Sequence, residues 1–219
     1  MRDRLPFPAL VIVLVVGLTG IEALLLAADQ GWIGSVRWRS LAYQFGAFWP
    51  GLLGDWTPNF TLQPGTMFLS YMLLHAGPGH LAGNLATLIW LGPMVLARVG
   101  TGGFLLTWAV ASMTGALCFA GLSDNVQPMV GASGALFGLA GLLLGWQAQD
   151  GINPLRIAAI TAALLGLNWA LWWGYDGNLA WEAHLGGFIA GFAMAGWVGG
   201  RRGGPPDNEK APVDEPALS

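Results

Sequence analysis

The chain has 219 residues, of which 54% are hydrophobic and only 10% are charged, and its mean hydropathy is +0.56. Because so few side chains could make a surface polar, this composition excludes an ordinary water-soluble domain and indicates an integral membrane protein. The net charge of −3 and the lack of a basic run give no reason to expect a nucleic-acid partner.

Six apolar stretches are each long enough to cross a bilayer, which takes about 20 residues of helix. They cover residues 8–28, 80–99, 103–122, 132–149, 154–173 and 180–199. An open sheet cannot pair its edge groups in lipid, so these stretches predict an all-α membrane protein, a bundle of six transmembrane helices. The bundle is predicted to occupy residues 1–200, and residues 201–219 are predicted to be a disordered polar cytoplasmic tail.

The arginines beside the predicted spans indicate how the chain is oriented. Arg98 ends the second span and Arg156 opens the fifth, while two more arginines precede the first span and two follow the last. Cytoplasmic loops carry an excess of arginine and lysine, so both termini are predicted to lie in the cytoplasm. This arrangement fits a multi-pass protein of a bacterial inner membrane.

The segment between the first two spans, residues 29–79, is too long for a simple connection. It is rich in Trp, Phe, Pro and Gly, a composition that suits structure at the membrane interface. We therefore expect a long outer loop that is partly embedded in the membrane.

Polar side chains gather at the starts of the even-numbered spans. His80 and Asn84 open the second span, Ser133 opens the fourth, and His184 lies near the start of the sixth. With both termini inside, these three helices all run inward, so the four side chains share one depth in the outer part of the membrane. Polar groups are costly in lipid and by default indicate a functional site.

Ser133 is the candidate nucleophile. It lies at a loop-to-helix junction, between Gly131 and Gly134, where the first backbone N–H groups have no helical partner and can face a developing negative charge. The alternative is that Gly131, Ser133 and Gly134 are small packing residues of the kind common in membrane helices.

His184 is the candidate general base. It lies beside a stripe of small residues that includes Gly187, and the fourth span carries a matching stripe, so the two helices could pack closely and bring His184 to Ser133. A neutral imidazole there would take the serine proton. The alternative for His184 is a structural hydrogen bond between helices.

His80 and Asn84 are four residues apart, so on a helix they share one face and can direct two donors at one oxyanion. His75 is separated from that face by a Gly-Pro-Gly turn, which favours a structural role. The lone Cys118 and three histidines predict no disulfide and no metal site, and no cofactor is expected.

The remaining polar residues of the spans receive no catalytic role, and a Ser-His dyad is predicted. These residues are Glu22, Asn168, Asp176 and Glu182. An acid beside the imidazole stays open as an alternative, with Asp124, Asp176 and Glu182 as the candidates.

The three motifs resemble those of the rhomboid family of intramembrane serine proteases. The family pattern has His-x-x-x-Asn on the second helix, Gly-x-Ser-Gly at the head of the fourth and Ala-His-x-x-Gly-x-x-x-Gly on the sixth, and all are present over roughly residues 66–199. The resemblance implies that Ser133 is the nucleophile and His184 the base. It implies that His80, Asn84 and the Ser133 N–H surround the oxyanion.

The resemblance also implies the substrates. They would be single-span membrane proteins, cut in or near the membrane, that enter laterally between the second and fifth helices with the outer loop at 172–178 as a movable cap. The lipid bilayer is then the second partner of the chain.

Two positions depart from the family pattern. Phe137 stands four residues after the serine, where tyrosine is more usual, so the resemblance implies stacking on His184 without a hydroxyl contact. Thr66-Met67 stands where many members carry Trp-Arg, and Trp38-Arg39 lies much further upstream. How the long loop is anchored is therefore left open.

Three other functions fit parts of the pattern. A rhomboid-like protein that binds membrane clients without cutting them would characteristically lack the serine or the histidine, and both are present. A transporter or channel would continue its polar path inward, whereas the polar residues here are confined to the outer portion. A membrane serine acyltransferase or lipase would share the nucleophile chemistry and stays open.

Overall fold

The computed structural model describes residues 8–124, 126–174 and 179–199. Within these ranges the secondary structure is helical and contains no strand, only an isolated β-bridge between Phe48 and Met129. The helices are α1 (Ala9–Asp29), α2 (Trp38–Gly46), α3 (Gln63–Ser70), α4 (Pro78–Leu122), α5 (Ser133–Gln149), α6 (Pro154–Gly174) and α7 (Trp181–Met194). The all-α prediction is confirmed. The predicted polar tail at 201–219 and Asp176 lie outside the described residues.

The 45-residue helix α4 contains two of the predicted spans. It is broken at Gly100, whose φ of 65° and ψ of −175° are not helical and are open to glycine without steric cost. The chain reverses direction at this break. A Cβ on Gly92 would contact the Phe104 side chain, whereas in a straight helix the two residues would be about 18 Å apart. Residues 78–99 and 101–122 therefore form an antiparallel pair.

Two helices of the described chain, α1 and α4, are long and apolar enough to cross a membrane. Helices α5 and α7 have 17 and 14 residues, fewer than the roughly 20 of a full span. Helix α7 ends at Met194. The chain then continues as turns to Gly199, where the sequence predicts helix. The count of six spans stays a prediction.

Helix α5 lies at the centre of the bundle and packs against α7 backbone to backbone. A Cβ on Gly187 or Gly191 would clash with the carbonyl oxygen of Gly134 or Gly138, respectively. The approach is possible only because glycine has no side chain, as in other closely packed membrane helices. This contact sets the distance between the heads of the two helices, where Ser133 and His184 lie.

Helix α1 meets the bundle with a narrow face. Its buried residues are Val11, Leu18, Glu22, Leu25 and Ala28, while Val13 and Val16 on the other side are each 64% exposed. A helix that is apolar on its exposed side as well as its buried side suits a lipid environment.

Arg39 anchors the long loop to α1. Its guanidinium donates to both carboxylate oxygens of the buried Glu22, at 2.8 and 3.1 Å, and to Asp29 at 2.6 Å. It also donates to the carbonyl oxygen of His75, 3.1 Å away at the end of the loop. The hydrogen bond to Glu22 raises the pKa of Arg39, so the side chain stays charged. Arg39 of the upstream Trp38-Arg39 pair thus supplies the anchor that the sequence left open.

Candidate active site

Ser133 and His184 meet at the heads of α5 and α7. The Ser133 hydroxyl oxygen lies 2.7 Å from His184 Nε2. The contact follows from the glycine packing, because Gly134 and Gly187 touch within one turn of the two residues. His184 is only 5% exposed, so water does not compete for its ring nitrogens.

The other ring nitrogen of His184 has a partner to which the sequence assigned no role. Nδ1 lies 2.7 Å from Oδ1 of Asn168 on α6, and both side chains are buried. An amide oxygen only accepts hydrogen bonds, so Nδ1 donates to it and Nε2 accepts from Ser133. Neither Asp124 nor Glu182 therefore takes a ring nitrogen of His184. The sequence feature that could have indicated this role is the isolated side-chain amide of Asn168 within an apolar span, because such an amide needs a hydrogen-bond partner in lipid.

Phe137, one turn after Ser133, stacks on the imidazole of His184. The ring centroids are 4.4 Å apart and the planes differ by 6°. The expected stacking is therefore present, and phenylalanine brings no hydroxyl to the histidine.

His80 lies against the turn that precedes Ser133. Gly131 has a φ of 123°, and a Cβ there would be 2.6 Å from His80 Cε1 and 2.9 Å from Nε2, so only glycine fits. The Ala76 N–H donates to His80 Nδ1 at 3.3 Å, which leaves the ring proton on Nε2. His80 thus presents an N–H donor next to the start of α5.

Asn84 is buried one turn further along α4. Its amide nitrogen donates to the carbonyl oxygen of His80 at 2.9 Å, and its Oδ1 has no partner within the described chain. A side-chain amide has two N–H groups, so one donor remains for another acceptor.

Tyr71 holds the turn before Ser133 in place from the loop side. Its hydroxyl donates to the carbonyl of Ser112 at 2.9 Å, and its own carbonyl accepts from the Gly131 N–H at 3.0 Å. Burial raises the pKa of Tyr71, so the hydroxyl keeps its proton and remains a donor.

His75 lies beside the site and belongs to the loop anchor. Its carbonyl accepts from Arg39 and from the Tyr43 hydroxyl, at 3.1 and 2.7 Å, and its ring packs edge-on against His80 with centroids 5.3 Å apart. Burial lowers the pKa of His75 to about 4, so the ring is neutral at pH 7. These contacts are those of a residue that ties the loop to the bundle.

Fold and site together define a helical membrane protein with a part-buried serine–histidine pair and N–H donors at one end of the bundle. The Rhomboid domain family matches residues 64–201 of the sequence. The chain belongs to the rhomboid family, as the three motifs implied, and is therefore an integral membrane protein.

Several relatives carry rhomboid names. The chain is 35% identical over 136 residues to Rhomboid protease GluP of Bacillus subtilis (strain 168), and 33% identical over 147 residues to RHOMBOID-like protein 2 of Arabidopsis thaliana. These matches cover 60% and 64% of this chain, but only 25% and 44% of the relatives. Rhomboid-related protein 2 of Mus musculus is 38% identical over 79 residues, which are 34% of this chain and 24% of the relative. The chain thus spans less than half the length of these proteins.

Proposed function

We propose that this chain is an intramembrane serine endopeptidase that cleaves single-span membrane proteins in or near the bilayer. The observation that carries the proposal is the 2.7 Å contact between Ser133 Oγ and His184 Nε2. A serine hydroxyl is a weak nucleophile until a base accepts its proton, and this contact provides the base. The family, which includes a protein named as a protease, supports the same reaction.

The reaction begins when Ser133 Oγ attacks the scissile carbonyl and His184 Nε2 takes the hydroxyl proton. The oxyanion that forms would accept hydrogen bonds from His80 Nε2–H, the remaining N–H of Asn84 and the backbone N–H of Ser133. His184 then gives its proton to the leaving amine, and the new amino terminus departs. Water, deprotonated by His184, releases the acyl group and restores the serine.

The substrate must expose a peptide carbonyl to this site. In lipid a helix has its amides hydrogen-bonded internally, so a substrate helix has to unwind locally before attack. We propose lateral entry between the first segment of α4 (78–99) and α6. We also propose that the site faces the outer side of a bacterial inner membrane, with both termini in the cytoplasm.

Two other functions are alternatives to proteolysis. A non-proteolytic client-binding protein would not need a serine within hydrogen-bond distance of a histidine, so the geometry favours an enzyme. A membrane acyltransferase or lipase would use the same pair on an ester. Incubation of the purified protein with a labelled single-span protein and, separately, with a labelled phospholipid distinguishes these outcomes.

The first prediction tests the nucleophile. Ser133→Ala should abolish cleavage of the single-span protein and labelling by a fluorophosphonate probe, because the hydroxyl is the reacting group. Its thermal unfolding in detergent should match the wild type, since one oxygen is lost from a half-buried position. Cleavage by Ser133→Ala at a rate near that of the wild type would refute the assignment.

A further inference from the structure

We propose that Asn168 is a positioning residue for the His184 base: it accepts the Nδ1 proton and thereby holds the imidazole in the tautomer that can take the Ser133 proton. The inference rests on the proposed function of Ser133 and His184. It adds a fourth helix, α6, to a site otherwise built from α4, α5 and α7.

The ring of His184 is held from three directions. Ser133 meets Nε2 at 2.7 Å, Asn168 meets Nδ1 at 2.7 Å, and Phe137 covers one face at 4.4 Å. Rotation of the ring would break both hydrogen bonds at once and lift it off Phe137. Asn168 and His184 are only 6% and 5% exposed, so water cannot easily take the place of either side chain as a hydrogen-bond partner. Loss of the bond between them would leave a buried polar group unpaired, which is unfavourable.

The Asn168 atom that faces His184 Nδ1 is the amide oxygen Oδ1, and this decides which tautomer of the imidazole forms. A neutral imidazole carries its proton on one nitrogen only. With the proton on Nε2, His184 would donate to Ser133 and no base would remain for the hydroxyl. With the proton on Nδ1, the ring donates to Asn168 Oδ1 and Nε2 is the acceptor. A buried amide oxygen left unpaired is costly enough to favour the second tautomer roughly tenfold to hundredfold.

The position of Asn168 in α6 supports a specific role. The same stretch of α6 lines a cavity of about 20 Å³ beside His184, and the neighbouring α6 side chains there, Leu164 and Leu165, are apolar. An asparagine buried on this face is expensive in a membrane helix unless it is hydrogen-bonded. Thr161, two turns earlier, lines the same cavity and provides a matched control.

The direct test reads the tautomer without reference to activity. The chain has three histidines, so ¹⁵N-labelled imidazoles give few signals in detergent and those of His184 are identified by their loss in His184→Ala. We expect wild-type His184 to be protonated on Nδ1 and to shift toward the Nε2 tautomer in Asn168→Leu. A wild-type His184 protonated on Nε2 would overturn the proposal, whether or not Asn168→Leu folds.

The kinetic test compares Asn168→Leu, Asn168→Asp and Thr161→Val. Asn168→Leu should lower kcat and the rate of fluorophosphonate labelling of Ser133 by roughly 10-fold to 1,000-fold with little change in KM, since loss of the orienting acceptor affects the base and not substrate binding. Asn168→Asp keeps an acceptor oxygen and should react at least about tenfold faster than Asn168→Leu. Thr161→Val should stay within about twofold of the wild type.

The outcomes separate this inference from the proposed function. A folded Asn168→Leu that labels at the wild-type rate refutes the role of Asn168 and leaves the protease assignment untouched. A wild-type protein that is protonated on Nδ1 but neither labels nor cleaves refutes the proposed function, while the hydrogen bond to Asn168 stands. Equal loss in Asn168→Leu and Thr161→Val would indicate a packing defect and overturn the positioning role.

Discussion

The three histidines of this chain differ in what their ring nitrogens contact. His184 has a partner at each nitrogen, Ser133 and Asn168. His80 accepts at Nδ1 from Ala76 and turns its Nε2 edge toward Gly131, whereas the ring of His75 packs edge-on against His80. The roles that we propose for them, base for His184, oxyanion donor for His80 and packing group for His75, differ because their neighbours differ.

At this scale the second prediction concerns Asn84. Asn84→Ala should lower kcat by roughly 10-fold to 1,000-fold, because one oxyanion donor is lost while His80 and the backbone N–H remain. The loss should be smaller than in Ser133→Ala, and KM should change little. Initial cleavage rates in detergent test this, with Thr87→Ala, one turn along α4 and half-buried, as the control, since its hydroxyl donates only to the Gly83 carbonyl of its own helix. A rate equal to that of the wild type would remove Asn84 from the site.

The third prediction concerns His75 and pH. The unfolded chain binds a proton at this residue below about pH 6.5, whereas the folded chain does not until about pH 4, where burial has placed its pKa. The unfolded state therefore binds more protons in this window, and the free energy of unfolding falls as the pH drops from about 6.5 to about 4. His75→Phe removes this contribution.

The measurement is unfolding in detergent at several pH values. Between pH 6.5 and 4 the variant should lose less stability than the wild type, by roughly 3 kcal/mol at the lower end. His80, whose ring faces His75, and Arg39, which binds its carbonyl, are present in both proteins, so their titration largely cancels in the difference. If the free energy of unfolding fell equally between pH 6.5 and 4 in both proteins, the prediction would be contradicted.

At the scale of elements, the contact between α5 and α7 places the serine and the histidine. Gly187 and Gly191 on α7 lie against the carbonyl oxygens of Gly134 and Gly138 on α5. Backbone atoms cannot move aside as a flexible side chain can, so a methyl group at these positions must separate the helices. Separation of the helices by even 1 Å would break the 2.7 Å contact between Ser133 and His184.

The fourth prediction follows from that contact. Gly191→Ala should destabilise the protein by about 1–3 kcal/mol and lower the cleavage rate, because the added methyl group overpacks the interface. Gly166→Ala on α6 is the matched control, since a Cβ there meets nothing within 4 Å. The control should be neutral or slightly stabilising, as alanine favours helix. Thermal unfolding in detergent compares the two variants, and equal midpoints would contradict the packing argument.

At the scale of the whole molecule, the two ends of the bundle differ in chemistry. The end with the heads of α5 and α7 carries the serine–histidine pair. The opposite end carries Arg98, which donates to Asp150 at 3.2 Å and to the Gly199 carbonyl at 3.1 Å and lies over the ring of Trp146 at 4.4 Å. Arginine near a span end favours the cytoplasmic side, so the end with Arg98 is expected to lie in the cytoplasm. The opposite end, which carries the site, is then expected to face outward.

The fifth prediction tests that orientation. In a Cys118→Ala background, Asp55→Cys in the long loop should react with an impermeant thiol reagent added to intact cells, because it lies at the site end and is exposed. Asn153→Cys, exposed between α5 and α6, should react only after the cells are opened. The reverse labelling pattern would invert the orientation and place the site on the cytoplasmic side.

The sequence was sufficient for the properties that depend on local pattern. Hydropathy over windows of about 20 residues indicates membrane helices, and the positions of His80, Ser133 and His184 at helix starts give them a common depth once the orientation is assumed. Small residues at every fourth position likewise predict a close contact between α5 and α7. These inferences need only the helical repeat and the cost of polar groups in lipid.

Only the tertiary structure decided which distant side chains face one another. Asn168 was visible as a lone amide, yet its bond to His184 depends on the rotation of α6 about its own axis, which no repeat in an apolar helix specifies. The same holds for Arg39, whose bonds to Glu22 and Asp29 on α1 depend on how the loop folds back. Contacts of this kind arise from the packing of several elements at once. The periodicity of apolar residues along the sequence does not determine that packing.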